Sequence, residues 1–324
     1  MTPATASVLQ ALHPLFVAFS FFMGASIGSF LNVVIYRVPH GMSVRKPARS
    51  FCPSCKNQIA WYDNIPLVSW IVLRGKCRHC GSGIAFRYFM VEFVTAVMFL
   101  AIYAVYGVSA ETLSFWVFAS FLIALTFIDI KHFILPFGMT YPLIALGILA
   151  SPFVKSPTVV ESLIGAAAGW LIIVGIAYIW VLLTKREGMG MGDAPLFGAI
   201  GAFLGYQSLY FVIMAASIQG LVVGVLLLAF GKLHDVRDID DFDPMLNQNT
   251  EDPNAEENET PAEANNASED AAAAEEEERE RFIPAVPFGP FLALGALEYM
   301  LVGTWVLPWL HDKILSIGAM VFGG

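Results

Sequence analysis

Of the 324 residues, 57% are hydrophobic and only 14% are charged, and the mean hydropathy is +0.66. Soluble domains carry roughly 25% charged residues, so an ordinary water-soluble domain is excluded and a membrane protein is expected. The net charge of -9 hides a division: Asp235 to Arg281 holds 18 acidic and 3 basic residues, leaving a mildly basic remainder with a net of +6.

In chain order, the first apolar run spans residues 14–36, and no charged residue precedes Arg37. It lacks the basic start and small-residue cleavage site of a signal peptide and is expected to be a retained transmembrane helix. "GASIGSF", with Gly24 and Gly28, is a small-xxx-small pattern that predicts close helix packing. Further apolar segments lie at 88–107, 112–130, 133–153, 161–184, 191–206, 208–230 and 286–310. Each approaches the ~20 residues a crossing needs. The run from Ala194 to Gly231 would be about 57 Å long as one helix, so it must turn, and Gly205-Tyr206-Gln207-Ser208 is where a turn is expected. The expected class is an all-α polytopic membrane protein of about eight transmembrane helices with a small cytoplasmic zinc-binding domain.

Nine of the 18 Lys and Arg residues lie between Arg37 and Arg87. By the positive-inside rule this loop is cytoplasmic and the N-terminus is outside. Eight crossings then put Lys131, Lys185, Arg186 and Lys232 inside as well, with Lys155 the clear exception among the short loops. The acidic insert between the seventh and eighth segments also falls in the cytoplasm, and its composition predicts a disordered, solvated linker.

All four cysteines lie in the first loop, as "CPSC" (Cys52, Cys55) and "CRHC" (Cys77, Cys80), with 21 residues between the pairs. Two Cys-x-x-Cys knuckles at such a separation point to a tetrahedral structural zinc site. The nearby Lys56, Arg74, Lys76 and Arg78 favour thiolates. His79 inside the second knuckle is an alternative ligand, and disulfides are disfavoured in a reducing compartment. With four protein ligands the metal has no open position for chemistry.

Ionisable residues within or at the ends of spans mark function, and here they are Glu92, Asp129, Asp193 and Glu298. Asp129 ends the third segment in "LTFIDIKHFILP", and Asp193 opens the sixth in "GMGDAPLFG". Topology counted from Lys and Arg alone brings these two, 64 positions apart, to the same cytoplasmic face. Neighbouring carboxyls share a proton, so one can act as base toward water while the other polarises a scissile carbonyl. Gly190 and Gly192 would let the backbone before Asp193 take unusual dihedrals and approach a substrate closely. Taken singly, Asp193 reads equally well as a helix N-cap, and Asp129 as a terminal charge paired with Lys131 or His132. Together with the glycines they favour an aspartic protease. Glu92 and Glu298 are expected to hydrogen-bond within the bundle or shape a polar cavity.

Five stretches in order now resemble one family: "GASIGSFLNVVIYRVP", the cysteine loop from Cys52 to Glu92, "FIDIKHFILP", "GMGMGD" and "VPFGPFLALGA". The chain resembles the bacterial type IV prepilin peptidases, bifunctional leader peptidase/N-methyltransferases of the GxGD aspartic class. Position by position, the resemblance makes Asp129 and Asp193 the catalytic aspartates and Cys52, Cys55, Cys77 and Cys80 the zinc ligands. It implies cleavage of prepilins or secretion pseudopilins after a leader Gly, in the inner membrane. It also implies N-methylation with S-adenosylmethionine, for which the residues hold no nucleotide fingerprint. The organisation would be a first transmembrane helix (1–36), a zinc-binding loop domain (37–87), a membrane peptidase core (88–231), the acidic insert (232–282), and a last helix with tail (283–324). The partners expected are prepilin substrates and the bilayer, with no nucleic acid; the oligomeric state stays open. The sequence departs from the family pattern at Ala194-Pro195, where a Lys is usual, and at Phe137, where an Asp is common. Two rivals are a cation or proton transporter using the same carboxylates and an inactive assembly scaffold. Transporters often carry internal repeats, and no convincing one is found.

Overall fold

The computed structural model describes residues 3–45, 52, 54–185, 190–229 and 287–303. The acidic insert (232–282) and the tail lie outside the described residues. Within them the chain is helical, with one isolated antiparallel bridge (Lys76 to Gly83) and no strand. The helices are α1 (Pro3–Arg37), α2 (Val68–Val72), α3 (Phe86–Tyr106), α4 (Ala110–His132), α5 (Phe137–Ala150), α6 (Val159–Thr184), α7 (Asp193–Leu204), α8 (Tyr206–Ala229) and α9 (Gly289–Glu298). A π-helical turn, Tyr299–Gly303, continues α9.

Five segments are long and apolar enough to cross a membrane: Gln10–Arg37, α3, α4, α6 and α8. Among the described residues, the other three expected crossings coincide with shorter apolar helices, Phe137–Phe153, Asp193–Leu204 and Gly289–Gly303. At 12 residues, α7 extends about 18 Å, well short of a ~30 Å hydrocarbon core. The expected turn is where the sequence placed it: α7 stops at Leu204, and Gly205 takes φ 79° before α8 begins at Tyr206.

Every residue of α7 is buried, as a helix apolar on all sides requires. It is enclosed by α5, α6 and α8. Glycines permit the closest of these approaches. A Cβ on Gly165 of α6 would strike the Gly201 carbonyl, and a Cβ on Gly201 would strike the Gly165 carbonyl. One turn along, Gly169 faces the Phe197 carbonyl, where a Cβ would come within 2.5 Å. Ser162 Oγ donates to the Ala202 carbonyl at 2.7 Å across the same contact. The same device joins α1 to α3, as "GASIGSF" predicts: a Cβ on Gly24 would lie 2.7 Å from Ala96 Cα, and one on Gly28 2.6 Å from Glu92 Cα. Gly201→Leu is therefore expected to force α6 and α7 apart and to cost about 3 kcal/mol or more. Gly175→Ala, on the open side of α6 with nothing near its Cβ, should be neutral or stabilising by roughly 0.5–1 kcal/mol. Thermal unfolding of the two variants in detergent checks the contrast.

Helix α4 lies at the centre, against α1, α3, α5 and α9, with Phe118, Leu122, Leu125 and Ile128 fully buried. At its start Ser109 caps Thr112 N, and buried Glu111 accepts the backbone N–H of Lys155 at 3.0 Å. Glu111 also lies within electrostatic reach of the Lys155 side chain, which gives the short-loop lysine that goes against the charge rule a local acidic partner.

Candidate active site and metal centre

The C-terminal end of α4 carries the first expected aspartate. Phe133 enters the left-handed region (φ 53°), and its N–H returns to the Asp129 carbonyl at 2.9 Å, which ends the helix. Asp129 itself is 5% exposed. Beyond the turn, Leu135 is buried and Pro136 is the N-cap of α5.

Asp193 is 6% exposed and opens α7. The N-cap reading fails here: Gly192 occupies the cap position, no side chain caps the helix, and Asp193 is its first residue. The carboxylate is thus not spent on the helix end. Gly192 also departs from the expected reason for its presence. Its dihedrals are ordinary helical ones (φ -72°, ψ -25°). What it permits is close packing, since a Cβ there would come within 2.8 Å of Leu135 Cβ. Gly190 accepts the Asp193 N–H at 3.2 Å and leaves ordinary van der Waals room beside the carboxylate, 3.9 Å from a Cβ position. Pro195 falls in the first turn of α7, where a missing N–H costs nothing. Phe137 is half exposed and stacks on Tyr141 at 5.7 Å.

Leu135 draws three segments together. It touches Gly192 before α7 and Gly289 at the start of α9, and it follows Asp129 by two helical turns of chain at most. The backbone N–H of Gly289 donates to the Asp129 carboxylate, which therefore meets the free N–H groups of a helix start. A Cβ at Gly289 would strike that carboxylate. Asp193 is buried, and it and the Asp129 carboxylate lie within electrostatic reach of one another. Gly289 is a position beside Asp129 that residue chemistry did not single out. Its signal was Gly-Pro at the opening of an apolar run, and Pro290 indeed lies in the first helical positions of α9.

The remaining carboxylates bond within the protein. Glu92 accepts the backbone N–H of Leu67 at 2.7 Å, and Glu298 accepts from Gln219 Nε2 at 2.8 Å.

The four cysteine sulfurs all lie within 4.8 Å of one another, with Cys52 and Cys80 Sγ 3.8 Å apart. A zinc tetrahedron with ~2.3 Å arms has edges of about 3.8 Å, so the donor set fits that ion. The two knuckles repeat one backbone plan. Lys56 N–H returns to the Cys52 carbonyl and Gly81 N–H to the Cys77 carbonyl, both at 2.9 Å. Lys56 and Gly81 both take positive φ, 57° and 70°. Ser54 and Ser82 join the knuckles at 2.8 Å. The backbone N–H groups of Cys80 and His79 lower the Cys77 thiol to about 6, so His79 contributes its backbone; among the described residues the cluster of potential ligands holds the four cysteines and not His79. Arg78 pairs with Asp63 through two nitrogens, at 2.6 to 3.0 Å, and holds that carboxyl below its usual range.

Residues 22–106 match the bacterial Peptidase A24 N-terminal domain and residues 116–225 the Type IV leader peptidase family. The chain is 37% identical to a prepilin leader peptidase/N-methyltransferase of Myxococcus xanthus over 96% of both chains. Its identity to one of Aeromonas hydrophila is 35%, over 74% of this chain and 92% of the relative. One of Neisseria gonorrhoeae is 37% identical, over 68% of this chain and 85% of the relative. No solved structure matches the chain significantly. With paired buried aspartates, a four-cysteine centre and relatives matched along nearly their whole length, the chain belongs to the type IV leader peptidase family.

Proposed function

We propose that this protein is a membrane-embedded aspartic endopeptidase. It cleaves the leader of type IV prepilins or pseudopilins after Gly and methylates the new N-terminus. The observation that carries the peptidase reading is the convergence of Asp129, Asp193 and Gly289 around Leu135. One carboxylate takes a proton from water as its oxygen adds to the scissile carbonyl carbon. The other gives its proton to the carbonyl oxygen. Collapse of the tetrahedral species breaks the C–N bond, and the amine leaves with a proton. Methylation draws on S-adenosylmethionine as methyl donor. Among the described residues no strand precedes the glycines before α7, so "GMGMG" does not fit a nucleotide-binding turn.

The protein crosses the inner membrane with eight segments, its N-terminus outside and the zinc loop (37–87), both aspartates and the acidic insert in the cytoplasm; the Lys and Arg distribution supports this reading. A basic leader in the cytoplasm, followed by an apolar helix, then presents its junction at the aspartates. Cys52, Cys55, Cys77 and Cys80 hold a structural zinc ion. The transporter and scaffold alternatives are not favoured, because the relatives carry peptidase and methyltransferase names.

Purified protein incubated with a full-length prepilin should give one cut after the leader Gly by mass spectrometry. The mature product should gain the mass of one methyl group only when S-adenosylmethionine is present. An uncut substrate would refute the reading. Gly289→Ala should lower the cleavage rate about a hundredfold, because a methyl group there displaces Asp129 and small misplacements of a reacting group have that cost. An unchanged steady-state rate would show that Gly289 does not position it.

A further inference from the structure

The zinc-loop segment 61–72 is turned inside out relative to a water-exposed surface. Its 3-10 turn (Trp61–Asn64) and α2 together expose Trp61 (81%), Tyr62, Ile65, Val68, Ile71 (59%) and Val72 (67%). On α2 the exposed residues 68, 71 and 72 follow helical spacing and form one outward apolar face. The polar Ser69 faces inward, accepting from Ile65 N–H at 2.9 Å and donating to the Tyr62 carbonyl at 3.1 Å. Soluble surfaces rarely present a contiguous apolar patch of this kind without a partner.

The depth of the segment identifies what covers it. Leu67 N–H bonds to Glu92 at 2.7 Å, and Glu92 is the seventh residue of α3, about 9 Å along the helix from its start. Trp70 packs on Phe86 and Phe89 in the first turn of α3, with ring centres 5.4 and 5.2 Å away. The 21 residues of α3 extend about 31 Å, close to the hydrocarbon thickness, so the first turns of α3 lie at the bilayer edge and residues 61–72 lie beside them. The apolar patch also continues into the row Phe86, Phe93 and Val97 on the outer face of α3. Non-helical backbone at membrane depth needs its polar groups satisfied by protein. Leu67, at φ 63°, meets that demand through Glu92, which gives this carboxylate in a span a specific role.

We propose that residues 61–72 form an interfacial anchor that dips into the bilayer beside α3, with Trp61, Val68, Ile71 and Val72 in contact with lipid. Trp and Tyr are the residues that favour the headgroup level, and Lys56, Arg74 and Lys76 flank the segment in sequence and are exposed, as suits an interfacial element on anionic lipid. The anchor fixes the metal subdomain against the membrane surface, beyond any role in the peptidase reaction.

The test uses full-length protein in vesicles of phosphatidylethanolamine and phosphatidylglycerol, with and without lipid brominated near the headgroup. The Trp61 signal is taken as the fluorescence difference between wild type and Trp61→Phe. Ile71→Trp in the Trp61→Phe background provides a second reporter on the same face. Each variant is accepted when it keeps its bound metal and its leader cleavage. Both reporter signals are expected to emit blue-shifted, to lose most of their intensity to brominated lipid, and to be spared by aqueous iodide. Quenching by iodide, or shielding from both agents, would overturn the anchor. A signal indifferent to brominated lipid that changes only when prepilin is added would also overturn it and make the patch a peptide-docking surface.

Discussion

Asp129→Asn and Asp193→Asn are each expected to lower the rate of leader cleavage by about 10²–10⁴-fold, the span associated with loss of a positioned acid or base. Asparagine keeps the shape of the side chain, and at position 129 its amide oxygen still accepts from the Gly289 N–H. It can neither take up nor deliver the proton. Because the two groups serve one proton-transfer cycle, the double variant should be no slower than the slower single one. The folding consequence has the opposite sign. Both side chains are buried, and a charged carboxylate is costly there, so replacing one by an amide removes that cost, and the thermal midpoint should hold or rise. Cleavage assayed by mass spectrometry, beside thermal unfolding of the same preparations, separates the two effects. Wild-type rates in either variant would remove that aspartate from the mechanism. A lost midpoint would instead assign it a structural role.

The pairing of Asp129 with Asp193 was legible because lipid constrains sequence so strongly. Apolar length sets the spans, Lys and Arg set their direction, and a carboxylate at a span end then has few reasons to be there. The cysteine knuckles were legible for a similar reason, since metal geometry dictates their spacing. What sequence obscured was depth. Apolar runs at 133–153 and 191–206 look alike whether they face lipid or protein, and only packing makes α7 a short helix wholly enclosed by its neighbours. The glycines of α6 and α7 could be read as weak points in a helix, yet Gly165 and Gly201 are contact points between backbones. Gly192 carried an expectation of unusual dihedrals, and the structure assigns it to close packing on Leu135 instead. Gly289 escaped notice because its contribution is a backbone N–H and an absent side chain, neither of which a residue-type search registers.

Stripping the metal should unfold residues 52–85 while leaving the helical bundle intact. Among the described residues of that stretch only Cys52 and Gly75 are buried, so the subdomain has almost no apolar core to hold it. Its other ties are few: the Ser54–Ser82 hydrogen bond, the exposed Arg78–Asp63 pair, Trp70 over Gly75 and α3 with its indole N–H on the Ile84 carbonyl, and the Leu67 N–H on Glu92. An exposed ion pair contributes about 0–1 kcal/mol. Structural zinc in small domains binds with an apparent ~10–16 kcal/mol, which far exceeds what those ties supply. Cys77→Ser, or a strong chelator, is therefore expected to abolish stoichiometric zinc and to open this stretch to proteolysis. The far-ultraviolet helical signal should stay nearly constant, because α3 to α9 do not depend on the metal for their packing. Metal analysis and limited proteolysis with fragment masses give the readout. Cleavage of prepilin by the stripped protein should fall far less than in the aspartate variants, since neither Asp129 nor Asp193 touches the cysteine cluster. Resistance to proteolysis after complete metal loss would mean that the membrane-facing segment 61–72 and its contacts with α3 hold the subdomain without zinc.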